Sequence, residues 1–153
     1  MAKRLFIFFL VFIAIFVIDQ YIKSLFIDGF RWEGSYFSLI LVYNKGVAFS
    51  MLAFLEEYLK YLQIVLFIGL SLYLWFEKEL FAKFFLPIGI IYGAGCSNLY
   101  DRFIHQGVVD YVFWHQWFEF AVFNFADVMI DVAIVLILFI MYKERKLQKT
   151  NKV

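Results

Sequence analysis

The chain has 153 residues, of which 65% are hydrophobic and 24% aromatic, and its mean hydropathy is +0.81. Soluble domains are about 45 to 50% apolar, so this composition excludes an ordinary soluble protein and indicates an integral membrane protein. The net charge of +1 gives no basis for nucleic-acid binding, and the single Cys96 cannot form an internal disulfide. His105 and His115 do not form a metal-ligand motif, so neither a metal nor another cofactor is predicted.

Four apolar stretches are long enough to cross a bilayer, which takes about 20 apolar residues in a helix. The predicted spans are residues 5–27, 58–76, 84–99 and 126–142, all within a single domain of residues 1–153. The first span follows Lys3 and Arg4, as the apolar core of a secretory signal peptide would. Because no small-residue cleavage site follows and the helical pattern continues through Lys23, we expect this span to be retained.

The third span carries the only proline and a series of small residues. Pro87 is expected to kink or start this helix, which neighbouring helices can accommodate in a membrane. The small residues stand at or near helical spacing and predict the close approach of another helix. They are Gly89, Gly93, Ala94, Gly95 and Ser97.

The segment between the first two spans has the pattern of a small extramembrane β element. Residues 36–43 are rich in aromatic and β-branched types, and residues 47–52 are also apolar. Asn44, Lys45 and Gly46 between them form a predicted turn. The predicted fold class is therefore an all-α membrane protein with four transmembrane helices, this β element and an outward loop.

The distribution of basic residues predicts the orientation in the membrane. They gather at the N-terminus, at Lys78 and Lys83 between spans two and three, and in the C-terminal tail. The positive-inside rule places both termini in the cytoplasm and the loops of residues 28–57 and 101–122 outside. Polar residues from four segments then lie at one membrane face. They are Asp19, Asn44, Asn98, Asp101, Asp110 and Asp127.

Asp127 lies where the fourth span enters the membrane, and a charge in such a place is costly and usually functional. Two carboxylates held close together share one proton, so one can activate water while the other donates a proton. Asp131, one turn deeper on the same helix face, is a candidate partner that water and a peptide reach less easily. Asp101 is a second candidate, but the cation Arg102 follows it. Asp110 has no adjacent cation and is favoured on charge grounds, although spacing alone leaves the choice open.

Asp19 and Lys23 stand four residues apart, so on a helix they share one face and can pair. Pairing lowers the cost of placing both charges near the end of the first span. A purely structural interfacial pair and a functional pair both fit this spacing.

Five short blocks in chain order resemble lipoprotein signal peptidase, also called signal peptidase II. They are Asp19-Gln20-x-x-Lys23, Asn44-x-Gly46-x-Ala48-Phe49, Gly93 to Asn98-x-x-Asp101-Arg102, Val108-x-Asp110 and Phe123-Asn124-x-Ala126-Asp127. Each block alone is weak, but five in this order on a four-span chain are highly specific, and the resemblance extends over nearly the whole sequence. Ala94 and Ser97 stand where the family usually has glycine. Asp131 is not part of the family pattern, and we expect it to make a structural hydrogen bond.

The resemblance implies an intramembrane aspartyl endopeptidase of the bacterial cytoplasmic membrane, with its active site at the outer face. Its substrates would be diacylglyceryl-modified prolipoproteins, cut just before the lipidated lipobox cysteine, and the cyclic peptide globomycin would inhibit it. The implied catalytic pair is Asp110 and Asp127, in agreement with the charge argument. The implied supporting or substrate-binding residues are Asp19, Lys23, Asn44, Gly46, Asn98, Asp101, Arg102, Asn124 and Ala126.

A small transporter or proton-conducting subunit is the alternative, because acidic residues in membranes also mark proton pathways. It predicts polar residues throughout the membrane depth and often an internal repeat. Here the polar residues cluster at one face and no repeat is apparent, so the peptidase is favoured.

Overall fold

The computed structural model describes residues 1–46 and 55–150. Within these ranges four helices are long and apolar enough to cross a membrane, which confirms the predicted fold class of four helices with a small β element. The helices are α1 (Ala2–Ile27), α2 (Glu56–Phe76), α3 (Lys78–Ile104) and α4 (Phe125–Thr150), and the strands are β1 (Trp32–Glu33), β2 (Phe37–Asn44) and β3 (Val108–Trp114). The helices extend past several of the predicted bounds, most of all at both ends of α3 and at the C-terminal end of α4.

The central helix is α3, because its small residues let other helices approach. Half of the residues in its apolar 18-residue stretch are buried, against 6% to 11% in the corresponding stretches of the other three helices. A Cβ atom added at Gly93 would lie 2.7 Å from the carbonyl oxygen of Phe12, and one added at Gly89 would lie 3.0 Å from that of Phe8. Ala94 is fully buried in a cluster with Ile15 of α1 and Ala126 of α4. The packing interpretation of these small residues is therefore confirmed.

The proline of α3 lies just after a bend. The backbone of Phe84 is non-helical, with φ −111° and ψ 17°. Pro87 is three residues further on, in the first turn of the second helical segment, where a missing N–H removes no intrahelical hydrogen bond. The predicted start of the third span at residue 84 thus corresponds to the start of this second segment.

The three strands form one antiparallel sheet in the order β1-β2-β3. Strand β2 confirms the predicted strand of residues 36–43, while the predicted strand of residues 47–52 lies largely outside the described residues. The predicted outward loop of residues 101–122 contains a strand that the sequence did not indicate, because β3 lies within it and pairs with β2 over a long sequence separation. In this register Val42 faces Asp110 and Asn44 faces Val108.

A short backbone pairing brings the start of α4 to the sheet. The N–H and carbonyl oxygen of Phe123 form hydrogen bonds of 3.1 and 2.9 Å with Val112 of β3. Because Phe123 lies just before α4, this pairing fixes the first turn of α4 beside β3. It positions Asp127 close to Asp110.

Candidate active site

The first turn of α4 is closed by a reciprocal cap between Asn124 and Asp127. Asn124 Oδ1 accepts the backbone N–H of Asp127 at 2.9 Å, and Asp127 Oδ2 accepts the backbone N–H of Asn124 at 3.1 Å. This is the geometry of a capping box, with amide and carboxylate side chains in place of the common Ser and Glu. Asp127 is therefore held at a helix N-terminus, where the helix dipole stabilises negative charge.

The remaining two N–H groups of this first turn are bound by side chains from other elements. The N–H of Phe125 donates to the hydroxyl of Tyr111 at 2.9 Å, and the N–H of Ala126 donates to Asp19 Oδ1 at 2.9 Å. A helix start leaves four N–H groups without intrahelical partners, and here all four are satisfied. Contacts from α1 and β3 thus fix the place of α4, and with it the place of the Asp127 carboxylate.

Asn124 also links the two aspartates of interest. Its side-chain Nδ2 donates to Asp110 Oδ1 at 2.7 Å, while its backbone N–H holds Asp127. The second oxygen of Asp110 accepts a 3.0 Å hydrogen bond from Asn44 Nδ2, and Asp127 Oδ1 accepts one from Asn98 Nδ2 at 3.0 Å. Each carboxylate is therefore oriented by neutral amides and has no direct ion pair among the described residues.

The environment of Asp110 favours its protonated form. The residue is only 2% exposed. Burial raises the pKa of Asp110 from 3.8 to about 7, and the negative charge of Asp127 contributes to this rise, against the lowering effect of the hydrogen bonds from Asn44 and Asn124. Near neutral pH the pair can therefore hold one proton and one negative charge.

A buried lysine organises the polar groups behind this pair. Lys23 Nζ lies 2.6 Å from Asp19 Oδ2, 2.6 Å from Asp101 Oδ2 and 2.7 Å from Asn98 Oδ1. An ammonium has three protons, so these three acceptors use all of them. The predicted pairing of Asp19 and Lys23 within α1 is confirmed. The contacts of Lys23 with Asp101 and Asn98 join α1 to α3 in the interior of the protein. Asn98 then connects this cluster to Asp127.

Asp101 differs from Asp110 in its contacts. Besides Lys23, it accepts hydrogen bonds from Gln20 Nε2 at 2.8 Å and from the backbone N–H of Val109 at 3.1 Å. A carboxylate whose oxygens are occupied by a cation and two N–H donors serves to join α1, α3 and β3.

The two candidate catalytic aspartates line one cavity of about 580 Å³. Its walls come from β2, α3, β3, α4 and the segment before α4. The polar residues that line it are Asn44, Asn98, Arg102, Asp110, Asp127 and Asp131. Arg102 Nη2 donates to the carbonyl oxygen of Gly46 at 2.8 Å, and the N–H of Gly46 donates to Asn44 Oδ1 at 3.0 Å. These bonds hold the end of β2 against α3 at the cavity rim.

Comparison with known proteins decides the family. The family model described as signal peptidase (SPase) II matches residues 11–143. The chain is 54% identical over 135 residues to the lipoprotein signal peptidase of Wolinella succinogenes, which covers 88% of this chain and 92% of that protein. It is 52% identical over 151 residues to the lipoprotein signal peptidase of Helicobacter pylori strain Shi470, which covers 99% and 95%.

The chain belongs to the signal peptidase II family. It is therefore a multi-pass membrane peptidase, and the transporter alternative is not supported. A solved structure described as a bacterial membrane enzyme superposes with a TM-score of 0.74 at 20% identity, over 89% of this chain and 87% of that one. A likeness at this identity supports the fold alone.

All the predicted site residues of this signal peptidase II chain fall in one hydrogen-bonded network. The network includes the two candidate catalytic aspartates and the lysine cluster, and Arg102 joins it through Gly46. Its members are Asp19, Lys23, Asn44, Gly46, Asn98, Asp101, Arg102, Asp110, Asn124, Ala126 and Asp127. Two residues of the second block, Ala48 and Phe49, lie outside the described residues.

Three further residues of this network were not among the site residues predicted from sequence. Tyr111 holds the start of α4, and its ring stacks on that of Phe26 at a centroid distance of 4.1 Å. Ser97 Oγ donates to Asp19 at 2.6 Å and accepts from Gln20 Nε2 at 2.8 Å. Gln20 and Tyr111 each adjoin a predicted aspartate in the sequence, and that adjacency was the available signal. Ser97, a departure from the family glycine, thus makes hydrogen bonds besides allowing close packing.

Removing the Tyr111 hydroxyl is expected to destabilise the start of α4. In Tyr111→Phe the stacked ring remains, but the N–H of Phe125 loses its acceptor, which costs about 1 to 3 kcal/mol when the group is buried. Thermal unfolding in detergent would measure the loss. Tyr100→Phe is the matched control, because Tyr100 is 45% exposed. Equal stability of the two variants would contradict the capping role of Tyr111.

The stability of the protein is expected to fall as pH rises from about 4 to about 7 because of Asp110. The pKa of Asp110 is 3.8 in the unfolded chain and about 7 in the folded protein, so the folded state binds more protons in this window. The effect is on the order of 4 kcal/mol at most. Asp110→Asn removes this titration, so the Tm of the variant should rise relative to wild type between pH 4 and 8. Asp28→Asn, at an exposed position, is the control. A pH-independent Tm difference for Asp110→Asn would contradict the raised pKa.

Proposed function

We propose that this chain is an intramembrane aspartic endopeptidase that removes signal peptides from diacylglyceryl-modified prolipoproteins, cleaving before the lipidated cysteine. Membership of the signal peptidase II family and its similarity to lipoprotein signal peptidases support the substrate class. The observation that supports the aspartic mechanism is the placement of Asp110 and Asp127 in one cavity, joined through Asn124.

In the proposed mechanism Asp110 begins with the shared proton and Asp127 begins as the carboxylate. Asp127 suits the second role because it accepts two N–H donors at the N-terminus of α4. Asp127 removes a proton from a water molecule, whose oxygen attacks the scissile carbonyl carbon, while Asp110 protonates the carbonyl oxygen. The tetrahedral diol returns its hydroxyl proton to Asp110, and Asp127 gives its proton to the leaving nitrogen. The C–N bond then breaks, giving a signal peptide with a free carboxyl group and a cysteine with a free amine.

The polar rim of the cavity can hold the substrate backbone. Arg102 Nε is buried and has no hydrogen-bond partner among the described residues. A buried N–H donor without a partner is costly, and a substrate carbonyl oxygen would satisfy it. Arg102 therefore serves as a substrate-binding residue in this proposal, with Asn44 and Gly46 holding the rim in place.

The proposed location is the bacterial cytoplasmic membrane, with the cavity at the outer face and both termini in the cytoplasm. The distribution of Lys and Arg supports this orientation. The signal helix of the substrate lies among the spans, its lipid chains remain in the bilayer, and the scissile amide reaches the cavity at the level of water. Globomycin, a cyclic peptide, is expected to occupy the same cavity.

The test is to incubate the purified protein with a diacylglyceryl-modified prolipoprotein and identify the products by mass spectrometry. We expect one cut immediately before the lipidated cysteine, blocked by globomycin. A matched prolipoprotein without the lipid is the control and should remain uncut. Folded protein that leaves the lipidated substrate intact, or a cleavage insensitive to globomycin, would contradict the proposal.

A further inference from the structure

Asp131 is an acidic residue of the cavity that the mechanism above does not use. It lies on α4 four residues after Asp127, and both side chains line the same cavity. Asp131 is exposed, and among residues 1–46 and 55–150 no side chain forms a hydrogen bond or ion pair with it. The expected structural hydrogen bond is therefore absent from the described part of the chain.

An unpaired carboxylate at this position is unfavourable for the protein alone. Its neighbours Ile130 and Val132 are apolar, within a helix apolar enough to span a membrane. A carboxylate within such a helix is costly, up to roughly 2.5 to 3.5 kcal/mol at the helix centre on insertion scales and less toward the ends, and such groups usually serve a function. Since Asp131 stabilises no other element here, its partner is best sought in what enters the cavity.

The spacing from Asp127 indicates which part of a substrate would reach Asp131. Four residues of helix rise about 6 Å, and an extended peptide advances about 3.3 Å per residue. A substrate strand whose scissile amide lies at Asp110 and Asp127 would therefore place a residue about two positions away beside Asp131. Because Asp131 lies deeper along the span, that residue belongs to the side of the substrate that enters the membrane.

We propose that Asp131 is a specificity-determining residue that accepts a hydrogen bond from a hydroxyl side chain of the signal peptide, about two residues before the scissile bond. A carboxylate needs a donor, and this part of a signal peptide is apolar or small. Serine and threonine supply a donor there at a lower desolvation cost than a charged side chain. This inference rests on the proposed function and names the substrate feature that the same cavity recognises.

The test compares lipidated prolipoproteins that carry Ser or Ala at each of the three positions before the scissile bond. The wild-type protein should show a kcat/KM for one of the Ser substrates about 10- to 100-fold above its Ala counterpart, as a hydrogen bond to a carboxylate predicts. In Asp131→Val this Ser-to-Ala ratio should fall to about one, while Asp131→Asn should retain part of it. Asp28→Asn, outside the cavity, should leave the ratio unchanged.

The possible outcomes separate this inference from the proposed function. Wild-type protein that cleaves none of these substrates would overturn the proposed function. Cleavage with the same Ser-to-Ala ratio in wild type and Asp131→Val would overturn only the role of Asp131. An equal loss of kcat/KM on the Ser and Ala substrates in Asp131→Val would do the same. Thermal melts of Asp131→Val give the fraction of folded protein, by which each cleavage rate is corrected. We expect no loss of stability, because Asp131 has no partner in the described structure.

Discussion

Replacing either Asp110 or Asp127 with Asn is expected to lower kcat for prolipoprotein cleavage by about 10²- to 10⁴-fold. Asparagine keeps the size of the side chain but can neither take a proton from water nor donate an acidic one. The two single variants and the double variant should have similar residual rates, because groups that act as a unit are not additive. Single-turnover cleavage of a lipidated prolipoprotein measures this loss.

Two further variants serve as controls for the aspartate pair. Asp28→Asn changes an exposed aspartate at the end of α1 and should leave the rate unchanged. Asp101→Asn weakens the contact with Lys23. It should lower activity indirectly, by displacing the side chains that Lys23 holds and by lowering the stability of the fold. Near-normal turnover by Asp110→Asn or Asp127→Asn would exclude that residue from the chemistry. If only Asp101→Asn lost activity, the pair would have to be reassigned.

Replacing Lys23 with Met should be the most destabilising single change in the network. Lys23 is 1% exposed, and its removal leaves Asp19 and Asp101 as buried carboxylates without a cation. Breaking a buried ion pair from one side typically costs about 3 to 5 kcal/mol. Because Lys23 also donates to Asn98, which holds Asp127, the activity of the folded fraction should fall as well. Denaturation in detergent measures the free energy of unfolding.

Lys83→Met is the matched control for this prediction. Lys83 pairs with Glu144, but the two side chains are 31% and 44% exposed. Exposed ion pairs contribute about 0 to 1 kcal/mol, so this variant should unfold almost as wild type does. In Lys23→Met/Asp101→Asn one uncompensated charge is gone, and part of the stability should return. Equal effects of Lys23→Met and Lys83→Met would contradict the role assigned to the buried cluster.

The helical part of the structure could be predicted because its signals are local. Apolar length defines a span, and the small residues around Gly93 predict a close helix contact that the structure contains. The spacing of Asp19 and Lys23 places them on one helix face, and they form the predicted pair. These inferences need only the geometry of one helix, which a stretch of sequence specifies.

The sheet and its contacts could not be predicted because they depend on distant parts of the chain. Asn44 reaches Asp110 across 66 positions, through the register of β2 on β3. No local pattern specifies that register, so Asp110 was expected in a loop. Charge context in the sequence still favoured Asp110 over Asp101 as the partner of Asp127. In the structure, the contacts of Asp101 with Lys23 and Val109 are those of a structural carboxylate. Asp131 was expected to bond within the protein, and a sequence cannot show that it faces a cavity.

The central claim is that Asp110 and Asp127 share one proton, and infrared difference spectroscopy of the purified protein tests it most directly. We expect a protonated-carboxyl band that titrates near pH 7, as the pKa of Asp110 requires, and that is lost in Asp110→Asn. In Asp127→Asn the same band should titrate at a lower pH, because the neighbouring negative charge is gone. A wild-type spectrum in which no carboxyl band titrates between pH 5 and 9 would contradict the shared proton.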